Sequence, residues 1–295
     1  MTKKNKLTIF AMTEKGYAVL TRIIPSFKNN IETVISSRDL NMQKDFYLEI
    51  KSLCENNDIN FVDKKDFKKI ATEYAIAISW RWLINTDHSK LIVFHDSLLP
   101  RYRGFNPLVC ALINGENQIG VTALFATSEY DRGDIITQSS TKIEYPIKIQ
   151  DAIRKIIKNY EKVALCVMET IVNNERFTIT TQNEQEATYS LWRDEEDYLI
   201  NWDQSSIKIK RFIDAVGYPY KGAYTRLDAN LVRILDVEIV EDVVIENRMP
   251  GKVIFTKNLM PIVVCGQGLL QIIEMVDDQH NKSLIPLPRF RMRFG

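Results

Sequence analysis

No C-x-x-C pair occurs in this 295-residue sequence. Its four cysteines, Cys54, Cys110, Cys166 and Cys265, stand far apart, mostly in apolar runs. That argues against a zinc site, and no metal is expected; buried free thiols are the default, as in a reducing cytoplasm. No apolar run approaches the roughly 20 residues of a membrane span. The basic start, Met1 to Lys6, leads into an apolar run that Thr13-Glu14-Lys15 breaks too soon for a signal peptide. The formal net charge is only +1, which gives no case for a polyanion-binding surface. The opening has a single glycine, Gly16, where a dinucleotide fingerprint would need three, so nicotinamide and flavin chemistry is disfavoured. Only three histidines are present, His88, His95 and His280, which leaves few candidates for proton transfer near neutral pH.

What is present is a regular alternation of strand and helix patterns. Short apolar strands are expected at Leu7–Met12, Ile31–Ile35, Asn60–Val62, Ala75–Ile78 and Lys90–Phe94. Helices are expected at Thr13–Ile24, Asp39–Cys54, Lys65–Ala71 and Asn106–Asn114. Further strands are expected at Ile119–Ala126 and Ile135–Ile143, before a long helix over Ile149–Val172 with apolar residues at helical spacing. This pattern predicts an α/β fold, a Rossmann-like and mostly parallel sheet with helices on both faces. The polar stretches Asn173–Arg176 and Thr181–Glu186 read as a linker. Beyond it come one amphipathic helix, Ser205–Val216, and five short strand candidates between Ala223 and Val276, broken at Pro250-Gly251 and Gly266-Gln267-Gly268. They predict a smaller, β-rich, barrel-like C-terminal domain. The expected division is therefore residues 1–180 and 190–295. The basic tail Arg289–Arg293 reads as solvated.

The densest chemistry lies in Phe94-His95-Asp96-Ser97-Leu98-Leu99-Pro100-Arg101-Tyr102-Arg103-Gly104. It leaves a strand and enters a helix, and in open α/β sheets that edge is where ligands bind. His95 follows a buried strand and must lie in or near the core, whereas His88 and His280 sit among polar residues and are expected at the surface. A second segment, Glu129-Tyr130-Asp131-Arg132-Gly133-Asp134, places a carboxylate 36 positions after His95, between two strand candidates.

Taken together, HDSLLPRYRG and DRGDII closely resemble the formyltransferase family, whose members move a formyl group from 10-formyltetrahydrofolate to an amine. The likeness extends to Ile200-Asn201-Trp202 and to Tyr218-Pro219-Tyr220-Lys221-Gly222-Ala223. Such a transfer needs a proton acceptor and stabilisation of a developing oxyanion. The resemblance implies that His95 is the general base or proton shuttle, and that Asp131 orients it and stabilises its cation. It implies that Trp82, Leu83 and Ile84 hold the folate pterin through backbone groups, with residues 127–131 as a second wall. Trp82 and Tyr130 suit stacking on a flat pterin, though aromatic core packing explains them as well. Arg103, with Arg101, can neutralise glutamate or diphosphate oxygens bidentately, or be simply solvated.

One position departs from the family pattern. An asparagine is expected two residues before the histidine, holding the formyl oxygen, and Val93 stands there. Losing such a donor typically costs on the order of 10²–10³ in rate. Backbone N–H groups of residues 96–104, Ser97 or Asn106 are the candidate replacements.

Two branches of the family compete for the acceptor. A tRNA binder should carry a basic second domain, but charges across residues 190–295 are balanced. The segments around Trp202 and Tyr218 look like the nucleotide-sugar branch. The expected substrate is thus a dTDP- or GDP-linked amino-deoxyhexose, for surface polysaccharide such as O-antigen. Tyr218 and Tyr220 are candidates to stack on it, against ordinary barrel packing. The expected setting is cytoplasmic, with no nucleic acid or membrane partner, and a homodimer by likeness to the sugar enzymes. The alternatives are a methionyl-tRNA formyltransferase, or a catalytically silent folate or nucleotide-sugar binder because of Val93.

Overall fold

A computed structural model describes residues 5–40, 42–86, 90–228 and 230–295. The expectations for the N-terminal basic residues before Asn5 and for His88 lie outside these. The described chain divides into two compact units. One comprises residues up to Leu108, Asn117–Ile143 and Ala152–Leu191; the other comprises Val109–Glu116, Glu144–Asp151 and Trp192–Gly295.

The first unit is built on strands β1 (Leu7–Ala11), β2 (Ile31–Ser36), β3 (Asn60–Asp63), β4 (Tyr74–Ile78), β5 (Lys90–His95), β6 (Arg103–Gly104), β7 (Gln118–Phe125), β8 (Ile135–Lys142) and β9 (Tyr189–Ser190). Seven of them form one sheet in the order β3-β2-β1-β4-β5-β7-β8. The first five run parallel, and β7 and β8 add antiparallel. Helix α1 (Thr13–Phe27) follows β1 and α2 (Tyr47–Glu55) follows β2. Helix α3 (Pro107–Asn114) precedes β7, and the 24-residue α4 (Ile149–Val172) follows β8. The apolar positions anticipated on α4, from Ile153 through Met168, are all buried. The isoleucines, valines and methionine among them each contribute on the order of 1.5–3 kcal/mol as they leave water.

Two expected helices turn out differently. Residues 65–71 form no helix. The Asp63 carboxylate accepts the Lys65 N–H at 3.0 Å, and the Asp63 carbonyl accepts those of Asp66 and Phe67. This local turn competes with helix initiation, and the segment then lays Phe67 and Ile70 onto the Phe10, Ile35, Ala75 and Ala77 cluster. The Asp39–Cys54 helix starts only at Tyr47. Before it, the Asp45 carboxylate collects the N–H groups of Asp39 and Tyr47 and the Arg38 guanidinium, and Phe46 takes a left-handed backbone with φ +59°.

In the second unit, α5 (Ser206–Val216) is capped by the Ser205 hydroxyl, which accepts the Lys208 N–H at 3.3 Å. Strands β10 (Ala223–Leu227), β11 (Asn230–Val240), β12 (Val253–Lys257), β13 (Met260–Val264) and β14 (Leu269–Asp277) form an antiparallel sheet in the order β10-β11-β14-β13-β12. The C-terminal tail joins its two edges. Phe294 bridges Leu227 at the end of β10, while Arg293 bridges Lys252 just before β12. The tail is therefore not merely solvated: Met292 and Phe294 are buried, although the arginines stay exposed. Gly251 permits this, since a Cβ there would lie 2.0 Å from the Phe294 carbonyl oxygen.

Candidate active site

The loop after β5 is held from below by two side chains. Thr122 Oγ1 on β7 accepts the Leu99 N–H at 3.1 Å and donates to the Ser97 carbonyl at 2.6 Å. Gln138 on β8 donates to the Leu99 carbonyl and to Thr122 Oγ1. The loop ends at three left-handed residues, Tyr102, Gly104 and Asn106. At Gly104 a Cβ would meet the Ser190 carbonyl oxygen at 2.5 Å, so only glycine lets β6 lie beside β9.

His95 ends β5 with its side chain 7% exposed. Its Nε2 lies 2.8 Å from the Tyr102 carbonyl oxygen and therefore carries the proton it donates. Its Nδ1 lies 3.5 Å from Asp131 Oδ1. The other Asp131 oxygen, Oδ2, accepts the Gly104 N–H at 2.8 Å. The structure thus brings the two motifs together: one carboxylate touches both the histidine and the loop that carries it. Asp96 faces away from this pair. Its carboxylate is taken by Lys15 on α1 and by the Tyr160 hydroxyl on α4, two partners that the sequence patterns do not single out.

Arg103 is placed otherwise than the resemblance implies. It is 0% exposed, so it is neither a solvated arginine nor one open to a diphosphate or glutamate. Its guanidinium donates to Gln182 Oε1 at 3.1 and 2.8 Å and to the two Glu184 oxygens at 2.7 and 2.8 Å. Arg103 holds the Glu184 carboxyl below its ordinary value. Hydrogen bonds from Arg132 and Arg103 lower the Tyr189 phenol likewise. Both arginines belong to the loops that carry His95 and Asp131. The stretch read as a linker is therefore part of the site: Gln182, Glu184, Thr188 and Tyr189 line up against both loops. Polar composition hid this, because nothing in a sequence distinguishes a solvated glutamine from one buried against a distant arginine.

The remaining expected residues lie as follows. Trp82 is 37% exposed; its ring is 5.2 Å from that of Trp80, and Lys64 Nζ lies 4.0 Å from its centroid. Leu83 is exposed, and Ile84 packs against the Phe10 cluster. Tyr130 is exposed, with its ring 6.1 Å from that of Phe105. No hydrogen bond or ion pair links Trp82, Leu83 or Ile84 to His95 or Asp131 among the described residues. Tyr218 and Tyr220 belong to the second unit, Tyr218 exposed and Tyr220 half-buried. Trp202 there is core, its Nε1 donating to Thr225 Oγ1 at 3.0 Å. His280 is exposed and sits on Asp277.

Val93 sits two residues before His95 on β5, hence on the same face of the strand. It packs in the Phe10 cluster with Trp80 and Ile84 and offers no donor. Most of the candidate replacements are already engaged. The Ser97 hydroxyl donates to the Arg101 carbonyl. The N–H groups of Leu99, Arg101, Tyr102, Arg103 and Gly104 all have acceptors. The Asn106 amide has no hydrogen-bond partner among the described residues.

Comparison with known proteins fits this arrangement. The formyl transferase family matches residues 63–168, and the formyl transferase C-terminal domain matches 193–285. A methionyl-tRNA formyltransferase of Thermodesulfovibrio yellowstonii is 32% identical over 223 residues, which are 73% of this chain and 68% of that one. The sugar 3N-formyl transferase WlaRD, solved with dTDP and 5-N-formyl-THF, superposes with a TM-score of 0.68 at 19% identity, covering 94% of this chain and 98% of its own. An N-formyltransferase of Helicobacter canadensis, solved with folinic acid and dTDP-3-aminofucose, also gives 0.68, at 18% identity over 90% and 98%. With the histidine and aspartate of its two motifs brought together at the carboxyl end of a parallel strand, this chain belongs to the formyl transferase family.

Proposed function

We propose that this enzyme transfers a formyl group from 10-formyltetrahydrofolate to the amine of a nucleotide-linked amino sugar, of the kind used in surface polysaccharides. The observation that carries the reading is the His95–Asp131 pair, with its Nδ1 to Oδ1 distance of 3.5 Å. When the acceptor amine attacks and gives up its proton, His95 becomes an imidazolium. That cation faces two acceptors, the Tyr102 carbonyl at Nε2 and the Asp131 carboxylate at Nδ1, and both stabilise it. Asn106, whose amide has no hydrogen-bond partner among the described residues, is the residue to hold the developing oxyanion in place of the missing amide. When bound, the folate supplies the activated formyl group. Trp82 and Tyr130 offer exposed aromatic faces for the folate ring.

A methionyl-tRNA acceptor is the second reading, favoured by the name of the 32%-identical relative. The balanced charge of residues 190–295 speaks against it, because phosphate contacts dominate tRNA affinity. The test is formyl transfer to a panel of amino-sugar nucleotides and to methionyl-tRNA, followed by mass. A formylated sugar that falls by about 10²–10⁴-fold with His95→Ala supports the proposal. Product with methionyl-tRNA alone replaces it by the second reading. Binding of folate without any product makes the chain a silent binder.

A further inference from the structure

Gln182 lies 51 positions from Asp131 and 79 from Arg103, yet it fastens both loops of the site. It is 7% exposed. Its amide oxygen accepts from Arg103 Nε and Nη2, while its Nε2 donates to the carbonyls of Asp131 and Gly133, each at 2.8 Å. Six positions on, Thr188 ties the same strap to the histidine loop. Thr188 donates its N–H to the Pro100 carbonyl, accepts the Arg103 N–H at its carbonyl, and accepts the Tyr102 N–H at its hydroxyl. Tyr102 is the residue whose carbonyl holds His95.

The turn that Gln182 clamps is an unfavourable one. Asp131 has φ +56°, a left-handed conformation for a residue with a side chain. At Gly133 a Cβ would lie 1.7 Å from the Phe125 carbonyl oxygen. Such a backbone persists only where its surroundings over-determine it. Only an amide can serve both sides at once, with lone pairs for the guanidinium and two N–H groups for the two carbonyls.

We propose that Gln182 is a positioning residue that sets the Asp131 carboxylate against His95, and that residues 182–190 are therefore part of the catalytic machinery and no linker. The proposal rests on the reading of His95 and Asp131 as the reacting pair. Gln182 acts through Asp131 and touches no substrate.

The test uses the full chain with Gln182→Glu and Gln182→Leu, beside Asp131→Asn. Glutamate keeps the acceptors for Arg103 but cannot donate to the two carbonyls; leucine loses both. Three quantities are measured: the unfolding temperature, kcat and KM for both substrates, and the ¹⁵N shifts of the His95 ring. For Gln182→Glu we expect a folded protein with a lowered unfolding temperature, since two carbonyls lose their donors, with unchanged KM values and a kcat lower by about 10- to 100-fold, the scale of small misplacements near reacting groups. Its His95 shifts should move toward those of Asp131→Asn. Gln182→Leu should lose stability as well. Wild-type kcat and wild-type His95 shifts in folded Gln182→Glu overturn the proposal. So does a lower kcat with unmoved His95 shifts. If the wild-type chain transfers no formyl group, the functional reading fails, and the His95 shifts alone then decide the positioning role.

Discussion

Replacing Arg103 by lysine keeps the positive charge and removes the fork. The guanidinium spans two carbonyl-type acceptors in different directions, Gln182 Oε1 and the Glu184 carboxylate. An ammonium is a point donor and can keep one of them at most. If it keeps Glu184, the oxygen of buried Gln182 is orphaned, which costs about 1–3 kcal/mol. If it keeps Gln182, Glu184 returns to water. That carboxylate is already 57% exposed, so its release costs little. The lysine stem also leaves unfilled part of the space that a wholly buried guanidinium occupied. Either loss, together with that unfilled space, comes to about 1–3 kcal/mol, or roughly 2–5 °C in unfolding temperature for 295 residues. Thermal unfolding by circular dichroism measures it directly. An unfolding temperature within about 1 °C of wild type would refute the reasoning, because it would mean that the fork contributes nothing a point charge cannot.

Three further outcomes follow from the geometry. Gly133→Ala places a Cβ 1.7 Å from a backbone oxygen; the Asp131 turn must move, and formyl transfer should fall by about 100-fold, which an activity assay on the folded variant checks. Burial raises the Asp214 carboxyl above its ordinary 3.8, more than Lys210 lowers it. A folded-state pKa above the unfolded one favours folding at low pH, so wild-type stability relative to Asp214→Asn should decline as pH rises from about 4 to 7; urea unfolding across that range would show a flat difference if the burial argument is wrong. Burial pushes the Cys54 and Cys265 thiols up to about 12, while Cys166 is exposed. A thiol reagent near pH 8 should therefore modify Cys166 in the native protein, and reach Cys54 and Cys265 only after unfolding.

Periodicity made most elements readable. The α4 stripe from Ile153 to Met168 and the alternating or continuous apolar runs of the strands are local patterns, and local patterns survive in one dimension. The two failures, over residues 65–71 and 39–46, occur where Asp63 and Asp45 turn the backbone with their own carboxylates. A side chain that competes for backbone N–H groups is invisible to a periodicity count. At the site, His95 and Asp131 were legible because each sits in a motif. Gln182 and Glu184 were not, since their meaning depends on Arg103 about eighty positions away.

The resemblance of two motifs implied a carboxylate to serve His95; by itself, the chain's order of residues determined an α/β domain followed by a β-rich one, and a histidine following a buried strand. Those follow from hydrophobic spacing and from the few residue types able to move a proton. Only the tertiary structure decided that Arg103 is a buried clasp and no ligand arginine, that Ser97 and most of the loop N–H groups are already engaged, and that the basic tail staples two sheet edges. Each of these depends on which distant group satisfies a donor or fills a space, and that is settled by packing in three dimensions.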